Sequence, residues 1–261
     1  MRIAVTGATG IVGGVMVQAA RAAGHAVDPL PGWRLGQPAP LDGCDAVIHA
    51  ALAHAPGRYR GGEGDDPAAF VTANRDGTLR LFEDAERAGA RVVFLSSRAV
   101  YDGWPAGTAL PDGTPARPDS LYGQVKAQAE SALPPGGAAL RATGVYGPGR
   151  ANKWAPLFAD YRAGRPVVPR VATEVHGADL AHAALLVLER AATGVFNVSD
   201  LVLDRHDLLA RVQRLTGCPH PPPPRADARA LSVMGCARLA ALGWRPGGLA
   251  LLGATLPALL A

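Results

Sequence analysis

Cysteine is scarce in this chain of 261 residues: Cys44, Cys218 and Cys236 are odd in number and widely spaced. They form neither a zinc-ligand pattern nor a disulfide framework, so the reading assigns no metal and a reducing, cytoplasmic setting. Long apolar runs are also missing. Gly, Arg or Pro interrupts each stretch well before the ~20 residues that a membrane-spanning helix needs, so no membrane partner is expected. Met1 to Gly7 runs straight into a buried-strand pattern and a glycine turn, which leaves no expectation of a signal peptide. The net charge is +4, yet no Lys/Arg run is interleaved with aromatic residues, which argues against nucleic acid. A mild positive balance does suit a site that receives phosphates. With 48% hydrophobic and 18% charged residues, the composition is globular rather than disordered.

What is present is an alternation of short buried strands and helices. Arg2–Thr6 reads as a strand, Ile11–Ala23 as a helix and Ala26–Leu30 as a second strand. Asp45–Ala50, Arg91–Ser96 and Ala138–Ala142 read as further strands, with helices over Pro67–Ala88, Ser120–Leu133 and Asp179–Ala191. Val195–Val198 returns to the sheet. This alternation predicts an α/β fold, a doubly wound parallel sheet of Rossmann type with a smaller C-terminal substrate lobe. The dinucleotide-binding part is assigned to 1–143 plus 179–199, and the substrate lobe to 144–178 plus 200–261. Pro31–Pro40 is too short and too rich in Gly and Pro for a full helix–strand unit, and Pro219–Pro224 reads as an extended connector. Beyond Tyr146 the pattern loosens.

Thr6-Gly7-Ala8-Thr9-Gly10-Ile11-Val12-Gly13 lies between the first strand and the first helix. Gly7 permits the tight turn, Gly10 lets the backbone approach a pyrophosphate, and Gly13 lets the helix pack closely on the sheet. The helix N-terminus then offers N–H groups and a positive dipole end to phosphates. Gly7, Thr9, Gly10, Ile11 and Val12 are therefore candidate cofactor-binding residues. At the end of the second strand, where an acid accepts hydrogen bonds from the ribose of NAD, the count falls on Pro31-Gly32, and Asp28 lies too early. Arg34 is placed to reach a 2′-phosphate. The cofactor reading is NAD(P), with a slight lean to NADP.

Tyr122 and Lys126 are four residues apart on a predicted helix and share one face. Tyrosine is a poor acid–base group at its ordinary pKa of about 10, and a nearby ammonium favours the phenolate. Ser97, at a strand end, can donate a hydrogen bond to the same substrate oxygen. Following Ser96-Ser97 and the N-terminal glycines, in this order, the pair gains specificity.

Here the sequence resembles the extended short-chain dehydrogenase/reductases, the group of NAD-dependent sugar epimerases, dehydratases and reductases. The matching pieces are TGATGIVG at 6–13, VIHAA at 47–51, Asn74-x-x-Gly77-Thr78, FLSSRAVY at 94–101 and YGQVK at 122–126. Glu130, Leu140-Arg141, VYGPG at 145–149, Val175-His176-x-x-Asp179, Phe196-Asn197-Val198 and LGWRP at 242–246 follow in family order. The resemblance implies Ser97, Tyr122 and Lys126 as the catalytic trio, with Tyr122 as acid–base and Lys126 also holding the nicotinamide ribose. It places Ala50 and Ala51 beside the adenosine ribose, Ser96 near the nicotinamide, and Asn74 in mid-helix holding backbone and active-site water. It also raises a homodimer through the helices at 67–88 and 120–133.

Departures narrow the reading. The dehydratases of that group carry an acidic pair directly after the catalytic hydroxyl residue, where this chain has Arg98 and Ala99. Many sugar-nucleotide enzymes have Asn where this chain has Gly144, which weakens the case for a diphosphate-sugar substrate. Val100-Tyr101-Asp102-Gly103 resembles the Val-Phe-Asp-Gly of 4-keto-sugar reductases, although such a piece is also an ordinary turn. Arg58, Tyr59 and Arg60 follow a strand end and could gather an anionic substrate or form a solvated loop. The expected function is hydride transfer at a carbonyl or secondary alcohol of a sugar-like or other small-molecule substrate. An epimerase is the alternative within the enzyme class, and a non-catalytic dinucleotide-binding regulatory protein is the alternative outside it.

Overall fold

The structure, a computed structural model, describes residues 1–55, 62–149 and 152–261. Its centre is a six-stranded parallel sheet. The first half contains β1 (Arg2–Thr6), α1 (Ile11–Ala22), β2 (Ala26–Pro29) and β3 (Ala46–His49). Next come α2 (Pro67–Val71), a π-helical turn (Thr72–Asp76), α3 (Gly77–Ala88) and β4 (Arg91–Ser97). A 3-10 turn (Arg98–Tyr101), β5 (Ala109–Leu110), α4 (Leu121–Ser131) and β6 (Ala138–Ala142) follow. The sheet is completed by α6 (Gly177–Glu189) and β9 (Gly194–Val198), after the insertion of β7 (Gly144–Tyr146), α5 (Ala155–Arg162) and β8 (Val171–His176). The chain ends with β10 (Leu201–Asp204), α7 (Arg205–Thr216), β11 (Val233–Met234), α8 (Ala237–Leu242) and α9 (Gly248–Leu260).

The strand order β2-β1-β3-β4-β6-β9 is the doubly wound arrangement expected of the alternating pattern. Side chains alternate across each strand, so the two faces bury different sets. Ile3, Val5, Ile48, Val93, Leu95 and Leu140 pack with α1 and α6 on one face. Ala4, Val47, Phe94 and Ala139 pack with Leu81, Phe82 and Ala129 of α3 and α4 on the other. Chain order reverses between β1 and β3, and at that switch point the strand ends open the crevice in which such sheets bind ligands.

One difference from the sequence reading has a physical cause. The helix expected over Pro67–Ala88 is broken by the π-helical turn, which centres on the buried Asn74. As expected of the Gly- and Pro-rich stretch, residues 31–44 form no helix; a Cβ on Gly77 would lie 2.8 Å from the Gly36 nitrogen, so this short segment lies directly on α3.

The part that looked irregular from the sequence is in fact ordered. β7 runs parallel to β8, and β10 runs antiparallel to it. Their own apolar cluster includes Tyr146, Phe158, Leu203, Leu208 and Leu256. Leu239 and Trp244 pack instead on the main sheet's core. Among the described residues no helix is long and apolar enough to cross a membrane.

Candidate active site

The glycine turn is shaped by contacts that leave no room for side chains. Gly7 has φ +65°, in the left-handed region, and a Cβ on it would lie 2.8 Å from the Ala50 carbonyl and the Ala51 nitrogen. The turn and the end of β3 are therefore pressed together, which brings Gly7, Ala50 and Ala51 to one place. Gly10 donates its N–H to the Gly7 carbonyl at 2.9 Å and caps α1. No side chain caps that helix and no acid occupies its first turn. Its leading N–H groups, at Ile11 and Val12, thus keep their capacity for an anion. A Cβ on Gly13 would overlap the Gly7 carbonyl, so α1 approaches the turn only because residue 13 is glycine.

Behind this turn stands a buried polar chain that the sequence did not disclose. His49, fully buried, contacts Thr6 Oγ1 at 2.7 Å through Nδ1 and Thr78 Oγ1 at 2.9 Å through Nε2. Thr6 Oγ1 also accepts the Ala51 N–H at 3.2 Å. Burial pushes the His49 pKa down to about 3, so the ring is neutral and structural. It stacks on Phe94 and ties β1, β3 and α3 at the crevice. Asn74 extends the same bracing: its amide accepts the Ala53 N–H and donates to the Ala53 and Phe70 carbonyls, all at 2.8–2.9 Å. The Asn74 side chain therefore shapes the loop after β3.

At the end of β4, Ser97 is half-buried and its Oγ accepts the Ala99 N–H at 3.1 Å. That bond uses an acceptor lone pair and leaves the hydroxyl hydrogen to be donated. Ser120 caps α4 by accepting the Gly123 N–H, and α4 then packs on the turn after Ser97 through Gly123. Lys126, one turn further on, is buried. Its Nζ donates to the Leu95 carbonyl at 2.7 Å and lies 4.6 Å from the Phe94 ring centre and 5.9 Å from that of Tyr122. Burial lowers its pKa to about 8, and Glu130 acts in the opposite direction.

Ser96 points to the other face of β4 from Ser97, as strand alternation requires. Its hydroxyl donates to Glu130 Oε1 at 2.5 Å, and is spent in a buried network rather than turned to the crevice. Arg141 of β6 grips the same Glu130 carboxylate through Nε and Nη2, and donates from Nη1 to the Tyr101 hydroxyl at 2.7 Å. Tyr101 in turn donates to Asn197 of β9 at 2.8 Å. This network joins β4, α4, β6, β9 and the 3-10 turn behind Ser97, Tyr122 and Lys126. A buried pair of this kind adds little net stability but is costly to break on one side. The sequence offered its members only as pieces of the family pattern.

Other expected residues fall outside the crevice's inner surface. Arg34 is exposed and its guanidinium donates to the Pro31 and Trp33 carbonyls of its own loop. Asp28, one residue before the end of β2, is paired with Arg2 at 2.6 Å. Arg98 donates to Asp102 and to the Ser232 carbonyl. Arg58, Tyr59 and Arg60 lie outside the described residues.

Residues 37–199 match the model of the NAD dependent epimerase/dehydratase family. The chain belongs to that family. A 3-diazoavenalumate denitrifying reductase of a Streptomyces species is 29% identical over 238 residues, covering 77% of this chain and 76% of that protein. The structure of RMD from Pseudomonas aeruginosa complexed with NADPH superposes with a TM-score of 0.79 at 22% identity, over 100% of this chain and 98% of the other. A UDP-glucose 4-epimerase of Thermus thermophilus in complex with NAD gives 0.72 at 26%, over 95% and 94%. The chain is an NAD(P)-dependent enzyme.

The turn fits such a cofactor by geometry as well as by kinship. A dinucleotide needs backbone donors without side chains in the way, and Gly7, Gly10 and Gly13 supply them at the N-terminus of α1. One departure from the family's sugar-nucleotide pattern also gains a physical form. A Cβ on Gly144 would lie 2.5 Å from Glu174 Oε2 and 2.6 Å from Lys153 Nζ. The Lys153–Glu174 ion pair fills the space that a side chain at residue 144 would need.

Proposed function

We propose that this chain is a reductase or dehydrogenase that transfers hydride at a carbonyl or secondary alcohol of a sugar-like or other small substrate. The observation that carries the reading is the common setting of Ser97, Tyr122 and Lys126. Ser97 braces the turn on which α4 rests, and α4 holds the other two one helical turn apart. The nicotinamide, when bound, supplies or accepts the hydride. Ser97 donates a hydrogen bond to the substrate oxygen and so stabilises the charge that develops there. Tyr122 gives a proton to that oxygen in reduction and takes it in oxidation. Lys126, held by the Leu95 carbonyl, places a positive charge near the Tyr122 ring and favours the phenolate. Its remaining N–H groups serve the cofactor ribose.

Reduction is favoured over epimerisation by two observations. The Streptomyces relative is named a reductase. In addition, Val100-Tyr101-Asp102-Gly103 is locked in place, Tyr101 by Asn197 and Gly103 by the Arg117 carbonyl. NADP is preferred to NAD on the missing ribose acid and the nearness of Arg34. The test is steady-state turnover on a panel of keto sugars and small carbonyl compounds. A reductase consumes reduced cofactor in proportion to product; product formed without net cofactor consumption would replace this reading with an epimerase.

A further inference from the structure

A cleft of about 180 Å³ between β8, β10, α5 and α7 carries more positive charge than the fold neutralises. Lys153, Arg170 and Arg205 line it with a single carboxylate, Glu174, and Trp154 and Leu157 are in its apolar wall. Glu174 pairs with Lys153. Arg205 donates to the Val168 carbonyl at 2.8 Å, and the Arg170 side chain has no hydrogen-bond or ion-pair partner among the described residues. Nearby acids are spent elsewhere. Asp204 accepts the N–H groups of His206 and Ala226, and Asp207 pairs with Arg225. Burial, with the like charge of Arg170 as the smaller cause, pushes the Arg205 pKa down. Two guanidinium groups thus share a cleft whose one carboxylate, Glu174, is already paired with Lys153.

The cleft is linked through the backbone to the strand beside Ser97. Ala142 pairs with Ser97 across the main sheet, and Gly144 two residues later pairs with Glu174. Only Thr143 separates the strand that neighbours Ser97 from the strand that pairs with Glu174. We propose that the cleft binds the carboxylate of a small aromatic or apolar acid, with Arg170 and Arg205 as its clamp, and so sets which substrates the enzyme accepts. Guanidinium matches a carboxylate in shape and charge, while the indole of Trp154 and the side chain of Leu157 suit an apolar body. A nucleoside diphosphate fits poorly. The volume is near the ~150 Å³ that holds benzene in an apolar cavity, and below the ~300 Å³ at which drug-sized sites begin. Glu174 would also repel a second negative charge, and Gly144 offers no side-chain amide.

The assignment of substrate class rests on the oxidoreductase reading; the carboxylate clamp does not. The test is calorimetry of 3-phenylpropanoate, 4-hydroxybenzoate and hexanoate, their methyl esters, and UDP-glucose, with and without NADP⁺. At least one acid should bind the parent ten-fold or more tightly than its ester. Arg170→Ala and Arg205→Ala should each weaken that acid ten-fold or more and leave ester and NADP⁺ affinity unchanged. The proposal is overturned if no acid binds, if acid and ester bind alike, or if the Arg170 variant binds the acid as the parent does. It is equally overturned if UDP-glucose binds more tightly than every acid and loses that affinity in the same variants. A parent that binds the acid but neither NAD(H) nor NADP(H) would count against the oxidoreductase reading and leave the clamp standing.

Discussion

Gly123 and Ala99 are in direct contact: a Cβ on Gly123 would lie 2.5 Å from the Ala99 carbonyl oxygen. The contact seats α4, with Tyr122 and Lys126, on the turn that Ser97 begins. Gly123→Ala must push the helix and the turn apart. Overpacking of this kind typically costs about 1–3 kcal/mol, and a displacement of about 1 Å at reacting groups can cost about 10²-fold in rate. The expected result is a turnover lowered by that order, with a modest fall in melting temperature and cofactor affinity near the parent's. Unchanged turnover would show that the Ser97–Tyr122 spacing does not depend on this contact.

Tyr122→Phe removes one hydroxyl and leaves ring, helix and cofactor turn in place. Positioned proton transfer contributes about 10²–10⁴-fold, so turnover should fall by that order while cofactor affinity is kept. Lys126→Met should damage both, and Ser97→Ala should lower turnover alone. Normal turnover in the Tyr122 variant would withdraw the acid–base assignment.

Much of this site was legible because its parts are local. A glycine triplet after a strand and a Tyr-x-x-x-Lys spacing on a helix each follow from a few neighbouring residues. Six of the strands were placed within a residue or two for the same reason. The supporting chemistry was hidden because its partners are far apart: Thr6 meets His49, and Ser96 meets Glu130, only after the sheet assembles. β7, β8 and β10 were missed because they are short, and β7 and β10 pack into a cluster whose members are scattered along the chain. Glu174, Lys153 and Gly144 belong to that part, and no spacing along the chain links them.

The Lys126 ammonium should set the alkaline limb of activity. Its folded pKa is about 8, lowered first by burial and partly restored by Glu130. Turnover that depends on the charged form is present below that value and fades as pH rises through it. Because the pKa is lowered on folding, the unfolded chain holds this proton more tightly. This group's effect on stability therefore rises with pH between about 8 and the ordinary lysine value. Glu130→Gln removes the carboxylate that favours the ammonium, so the alkaline limb should move to lower pH. A pH–turnover profile identical to the parent's would separate Glu130 from Lys126. The variant will also be less stable, since Arg141 loses its charged partner, so the profile should be taken well below its melting temperature.

Cofactor choice turns on the short segment after β2. No acid follows directly on β2, where residues 30–32 are Leu, Pro and Gly, and Asp28 within the strand is paired with Arg2. Arg34 is the cation nearest to the expected 2′-phosphate position in sequence, and its guanidinium is exposed on hydrogen bonds to its own loop. Those are neutral acceptors, and a phosphate offers a stronger, charge-assisted pairing that the arginine can exchange them for. NADPH should therefore bind more tightly than NADH. Arg34→Ala should erase most of that difference while leaving NADH affinity nearly constant. Arg34→Asp should go further and favour NADH, since a carboxylate repels the 2′-phosphate and can accept from ribose hydroxyls. Titration of both dinucleotides into the three proteins decides it. Equal losses for NADPH and NADH in the Ala variant, or a parent that prefers NADH, would remove Arg34 from the cofactor site.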